Sequence, residues 1–168
     1  MTRAEGLPTD ATARVITVSD RSHTGLRPDA SGPALADLLA GQGFAVAEIA
    51  VVPDEADAIE AALRAAIDAA ADLVVTTGGT GLSPRDVTPE ATRRVIDREA
   101  PGLAEALRQY RRDELPTTIL SRAVAGIAGS TLVLNLPGST GGVRDGAAVL
   151  APVIGHAIAQ LRGGGDHR

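Results

Sequence analysis

The stretch DLVVTTGGTGLSPRDVTPEAT, residues 72–92, decides the fold. Its first six residues form a short apolar, β-branched run that reads as a buried strand. Glycines at 78, 79 and 81 then break the run. A helix is expected to start near Pro89, with Thr88 as its N-cap. A strand, a glycine loop and a helix in succession form the half-unit of an α/β fold. Such a loop can aim main-chain N–H groups at an anion. It matches neither the P-loop pattern nor the dinucleotide fingerprint, and it carries an aspartate, Asp86, where a phosphate loop would carry a lysine.

Outward from this stretch the same alternation recurs. ARVITVSD (13–20) reads as a strand, and a polar loop and a helix from about Ser31 to Gly43 follow. FAVAEIAVV (44–52) reads as a second strand, and residues 53–71 as a helix whose early acids Asp54 and Glu55 suit the positive end of its dipole. Residues 101–115 read as a helix, and 121–137 as two short strands joined at Ala128–Ser130. NLPGSTGG (135–142) repeats the glycine turn ahead of a last helix. This order predicts a three-layer α/β sandwich with a mostly parallel sheet. Ligands of such sheets bind outside the carboxyl ends of the strands. Loops 19–32, 76–90 and 135–142 are therefore expected to meet there. One domain over 13–162 is expected, with residues 1–12 and 163–168 as flexible termini.

Composition narrows the chemistry. Among 168 residues all 16 basic side chains are arginine, so no lysine nucleophile or phosphate clamp is available. No cysteine is present, which excludes thiolate catalysis and Cys-based zinc sites. Phe44 and Tyr110 are the whole aromatic stock, and the net charge is −5, so a basic or aromatic nucleic-acid surface is not expected. No apolar run reaches the roughly 18 residues of a membrane span, and no leader-like apolar segment opens the sequence. A cytoplasmic location is expected.

Asp86 has two readings. It caps a helix or pairs with Arg85, or it faces phosphates through Mg²⁺, which takes one or two carboxylates together with phosphate oxygens. Asp54 likewise either caps the helix that it opens or joins Asp86 at the sheet edge. Asp20 ends the first strand and either lines that edge or fixes a turn. Arg21 and Arg85 are candidate phosphate clamps. Asn135 and Ser139 are candidates to hydrogen-bond a polar heterocycle. The three histidines lack metal-ligand spacing.

The motifs TVSDR, DASGP, VVPDE, TTGGTGLSPRDVTPEAT, LSRAVAGI and NLPG, in this order, resemble the MoaB/Mog family of molybdenum cofactor biosynthesis proteins. The resemblance runs from about Ala13 to Leu161. It implies a molybdopterin adenylyltransferase, a nucleotidyltransferase joining ATP and molybdopterin to give adenylyl-molybdopterin and pyrophosphate with Mg²⁺. It implies Asp54 and Asp86 as catalytic, metal-holding residues. Ligand-binding positions carried over are Ser19, Asp20, Gly78, Gly79, Thr80, Gly81, Ser121, Asn135, Pro137, Gly138 and Ser139. It also implies a homotrimer and contacts with other enzymes of the pathway. Many Mog-type members continue PG-x-P after the asparagine strand, whereas this chain has Thr140 at the proline position. That feature is closer to the MoaB branch, for which a non-catalytic pterin-binding or scaffold role is the alternative. A generic nucleotide-binding regulatory domain is a third reading.

Overall fold

The computed structural model describes residues 3–164. Parallel strands β1 (Thr12–Val18), β4 (Leu73–Thr77) and β7 (Thr131–Leu136) lie side by side in its middle. The expected second strand is broken into β2 (Ala45–Val46) and β3 (Ala50–Val52), both parallel to β1. On the other side of β7 run antiparallel β6 (Ala125–Ala128) and the two-residue β5 (Arg98–Glu99). The sheet order is β2-β1-β4-β7-β6-β5, with β3 also on β1.

Strand periodicity explains the layers. Along β4, Leu73 and Val75 face one core cluster and Val74 the other. Along β7, Leu132, Leu134 and Leu136 share the first face and Val133 the second. A central strand buried on both faces is mostly apolar, and its buried polar residues, such as Thr76 and Asn135, are hydrogen-bonded. The first face is covered by α2 (Ser31–Gln42), α6 (Thr140–Leu150) and α7 (Ile154–Leu161), through residues such as Leu35, Val143 and Ile158. The second is covered by α3 (Ala56–Asp68) and α4 (Thr88–Arg93), through Ile59, Leu63 and Ala91. The three-layer α/β sandwich expected from the alternation is the observed architecture.

Several local expectations change. The first loop contains a short helix, α1 (Asp20–His23), capped by the Ser19 hydroxyl. The expected helix over 101–115 ends earlier, as α5 (Pro101–Gln109), and a 3-10 turn follows at Pro116–Leu120. The single last helix is two, α6 and α7. Residues 3–12 are packed, not frayed: Ala4, Leu7 and Ala11 are buried, and the Ala4 N–H donates to the Gln42 carbonyl at 2.8 Å. This segment passes so close to α7 that a Cβ on Gly155 would lie 2.0 Å from the Glu5 carbonyl oxygen. Of the expected flexible tail 163–168, residues 165–168 lie outside the described residues.

Candidate active site at the carboxyl edge of the sheet

Strands β1, β3, β4 and β7 are mutually parallel or joined through parallel neighbours, so their carboxyl ends share one edge. A cavity of about 590 Å³ opens there. Its wall includes Ser19, Asp54, the 78–81 glycine loop, Asp86, and residues 137–140. The loops predicted to converge do converge.

Close packing of strand ends explains the glycines. Gly78 has φ +109°, and a Cβ there would sit 2.2 Å from the Val18 carbonyl oxygen. Gly79 has φ +64°, and its Cβ would strike the Thr88 hydroxyl at 2.4 Å. The Thr88 hydroxyl donates to the Gly78 carbonyl, and the Thr88 N–H to the Gly79 carbonyl. Thr88 therefore ties α4 to the loop and does not cap the helix; Val87 holds the cap position. The N–H groups of Gly79, Thr80 and Gly81 have no hydrogen-bond acceptor among the described residues, and all three residues line the cavity. Unpaired N–H groups on a concave wall form an anion nest.

A second set of donors comes from α6. Ser139 is its N-cap, accepting from the Gly142 N–H at 3.0 Å, and Thr140 is its first residue. N–H groups in a first helical turn have no intrahelical partner and lie at the positive end of the dipole. Gly138, Ser139 and Thr140 all line the cavity. Proline and threonine both fit this first helical position. Thr140 thus preserves the helix start and adds an N–H that a proline would lack.

The two aspartates are held alike. The Asp20 N–H donates to Asp54 Oδ2 at 2.8 Å, and the Asp54 N–H donates to Asp20 Oδ1 at 2.9 Å. The Ser83 N–H donates to Asp86 Oδ2 at 2.8 Å. The Oδ1 atoms of Asp54 and Asp86 accept no hydrogen bond among the described residues. Asp54 does not cap α3, whose cap position is Glu55. Asp86 neither caps α4 nor pairs with Arg85, which bridges to Asp20 at 2.6 Å. Burial pushes the Asp54 carboxyl above its ordinary range, and the negative charges of Asp20 and Asp86 push the same way. The Asp54 N–H, followed by Arg85, holds the more exposed Asp20 below its ordinary range. The reciprocal pair shifts in opposite directions because only Asp54 loses much water.

This donor set suits Mg²⁺. Two carboxylates border one cavity, each anchored through one oxygen and open at the other. That leaves room for phosphate oxygens and water, which Mg²⁺ requires. No group of three or more His, Asp or Glu side chains among the described residues forms a metal cage, so the ligand itself would complete the coordination.

Three expected contacts fall elsewhere. Asn135 is fully buried and does not line the cavity. Its Nδ2 donates to the Thr76 and Thr92 hydroxyls at 3.0 and 2.8 Å, and its Oδ1 accepts from the Val124 N–H at 3.1 Å. With both ends of the amide engaged, it braces β7 against β4 and α4 instead of touching a ligand. Asp20 stands behind Asp54 and does not form the wall. Ser121 lines a second cavity of about 340 Å³, bounded by Leu107, Leu115 and Leu120, which meets the first at Thr80, Gly81, Pro137 and Ser139. Sequence reasoning missed Arg27 and Asp29. Arg27 lines the first cavity, where Arg21 does not. The Asp29 carboxylate accepts from the N–H groups of Ser31 and Gly32 at the start of α2 and from the Thr17 hydroxyl. The turn-rich DASGP motif was the available signal.

Fold and cavity together define an α/β domain with an open cavity at the carboxyl edge of its parallel strands, where ligands of such sheets bind. Residues 14–156 match the family described as "Probable molybdopterin binding domain". The chain belongs to that family. It is 43% identical over 155 residues to the molybdenum cofactor biosynthesis bifunctional protein of Synechococcus elongatus, covering 92% of this chain and 48% of that protein. The chain thus spans about half the length of that relative. It is 39% identical over 152 residues to the molybdopterin adenylyltransferase of Helicobacter pylori strain J99, covering 89% of this chain and 86% of the relative. The crystal structure of the molybdopterin biosynthesis enzyme MoaB from Thermus thermophilus superposes with a TM-score of 0.86 at 46% identity, covering 91% of this chain and 97% of that one.

Proposed function

We propose that this chain acts in molybdenum cofactor biosynthesis as a molybdopterin adenylyltransferase, forming adenylyl-molybdopterin and pyrophosphate from molybdopterin and ATP. One observation carries the reading. Three N–H groups and two carboxylate oxygens without partners among the described residues border a single cavity, together with a helix N-terminus. Named relatives of this family support the choice of substrates.

The terminal phosphate of molybdopterin attacks the α-phosphorus of ATP, a P–O bond forms, and the bond to pyrophosphate breaks. The nucleophile is already ionised, so no residue need act as a base. The work of the protein is alignment and charge compensation. The N–H groups of Gly79, Thr80 and Gly81 and the start of α6 hold phosphate oxygens, and Arg27 adds positive charge at the rim. Asp54 and Asp86 would hold Mg²⁺, which supplies Lewis-acid neutralisation of the phosphates. The junction of the two cavities, at Thr80, Gly81, Pro137 and Ser139, is where phosphates from two substrates meet.

The test uses the purified chain with ATP, MgCl₂ and molybdopterin, scored for adenylyl-molybdopterin and pyrophosphate. Molybdopterin binding without product would instead assign the scaffold role. Thr140 does not favour that role, because it keeps the helix start and adds a donor to the cavity wall. No helix among the described residues is long and apolar enough to cross a membrane. The homotrimer is read from the resemblance; exposed Tyr110, Leu115, Ile119 and Leu120 provide apolar surface for it. Light-scattering mass checks the trimer. Contacts with other enzymes of the pathway would be sought by co-purification.

A further inference from the structure

The loop from β4 to α4 is held by one residue, Arg122. Its main-chain N–H donates to the Thr80 carbonyl at 2.9 Å. Its Nε donates to the Gly81 carbonyl at 2.7 Å. One terminal nitrogen donates to the Asp86 carbonyl, and the other pairs with the Glu90 carboxylate. Three carbonyls of residues 80–86 are thus gathered on one residue, which lines neither cavity.

Peptide planarity gives this grip a consequence on the other side. In a trans peptide the C=O and the N–H of the same unit point in opposite directions. The Thr80 carbonyl shares its peptide with the Gly81 N–H, and the Gly81 carbonyl shares its peptide with the Leu82 N–H. Fixing both carbonyls on Arg122 turns both N–H groups away from it. Neither finds an acceptor among the described residues, and Gly81 forms part of the cavity wall. The same guanidinium holds the main chain of Asp86, whose carboxylate lies 3.0 Å from where a Cβ on Gly81 would stand. The Gly81 N–H is therefore set by the main chain of Arg122, and the Leu82 N–H and the Asp86 main chain by its guanidinium.

We propose that Arg122 is a positioning residue: its main-chain N–H aims the Gly81 N–H, and its guanidinium holds residues 81–86 so that the Asp86 carboxylate faces a metal-bound phosphate ligand. This rests on the reading of the site as a nucleotidyl-transfer centre. A guanidinium is needed because its planar fork reaches the Gly81 and Asp86 carbonyls and the Glu90 carboxylate at once; a lysine ammonium is a single point donor.

The test compares wild type, Arg122→Ala and Arg122→Lys in three measurements. Hydrogen exchange of the ligand-free chain should quicken about tenfold in residues 79–90, with β4 amides still protected as in wild type. Half-saturating Mn²⁺ in the presence of ATP, read by electron paramagnetic resonance, should rise about tenfold, the scale of one lost charged hydrogen bond. Turnover should fall about 100-fold for Arg122→Ala, as for other misplacements near 1 Å, and Arg122→Lys should recover part of it. Unchanged exchange and Mn²⁺ affinity would overturn the proposal, as would an activity loss with wild-type metal dependence and exchange quickened evenly across the sheet. If the alanine variant does not fold, the lysine variant carries the same comparison. If the wild type makes no adenylyl-molybdopterin, the functional reading falls, and exchange and Mn²⁺ binding still decide the role of Arg122.

Discussion

Replacing Asn135 by alanine separates a brace from a ligand contact. The side chain is fully buried and makes three hydrogen bonds. Its loss strands the Val124 N–H at the point where the main-chain ladder between β6 and β7 ends. An unsatisfied buried donor costs about 1–3 kcal/mol. The Thr76 and Thr92 hydroxyls also lose their donor, and both residues are fully buried. The small void left behind adds about 1 kcal/mol. A destabilisation of about 3 kcal/mol follows. For a domain of this size each kcal/mol moves Tm by about 2–4 °C, so Tm should fall about 6–12 °C. Circular-dichroism melts and urea titrations measure the loss; calorimetric titration with ATP and MgCl₂ measures binding on the folded variant. Binding should stay within a few-fold of wild type at a temperature where the variant is folded. A Tm within about 2 °C of wild type, together with a large loss of affinity, would refute the assignment and return Asn135 to the ligand.

Other substitutions probe the remaining links. Asp86→Asn should keep wild-type stability and lose most turnover; near wild-type adenylylation by this variant would remove Asp86 from the metal site. Asp54→Asn can still accept from the Asp20 N–H while removing a charge that burial disfavours. Because the folded carboxyl is shifted upward, its stability contribution is greatest below the unfolded pKa and is lost as pH rises through the folded value. The variant should therefore melt no lower than wild type at neutral pH yet turn over slowly, and a clear drop in Tm would contradict that. Gly78→Ala forces a Cβ to 2.2 Å from the Val18 carbonyl at φ +109°; a loss of more than about 2 kcal/mol is expected in urea titration. For Asp72, burial raises the carboxyl, but hydrogen bonds from Arg162 and Thr12 outweigh it and hold it low. That stability is present above the unfolded pKa and is lost as pH falls through the lower folded value. An Asp72→Asn chain should thus show a shallower loss of stability in acid titration below pH 3.8, the ordinary value.

The parts legible in advance were those with short-range causes. Alternating strand and helix patterns yielded the layers, and the glycine loops pointed to the sheet edge where the cavity opens. Hidden parts were long-range. Arg122 is 36 residues from Asp86 in sequence, and the Asp20–Asp54 pair spans 34. Asn135 looked available because its amide can hydrogen-bond a polar heterocycle and it stands beside a glycine turn. Only the neighbouring strand and α4 showed that its amide was already in use. The N-terminal segment looked frayed because its few apolar residues have no periodicity. Their burial depends on a groove beside α7 that requires Gly155.

By itself, the amino-acid order determined the class of fold, the absence of lysine and thiol chemistry, and the three loops that converge at one edge of the sheet. These follow from local apolar periodicity, backbone freedom at glycine and the side-chain inventory. Tertiary structure alone decided which polar groups remain free for a ligand. Among the described residues Asp54 and Asp86 each keep one oxygen without a donor, Asn135 keeps neither end of its amide free, and Arg122 holds the carbonyls of Thr80, Gly81 and Asp86. Hydrogen-bond capacity is consumed by partners distant in sequence, so availability becomes defined only once those partners meet.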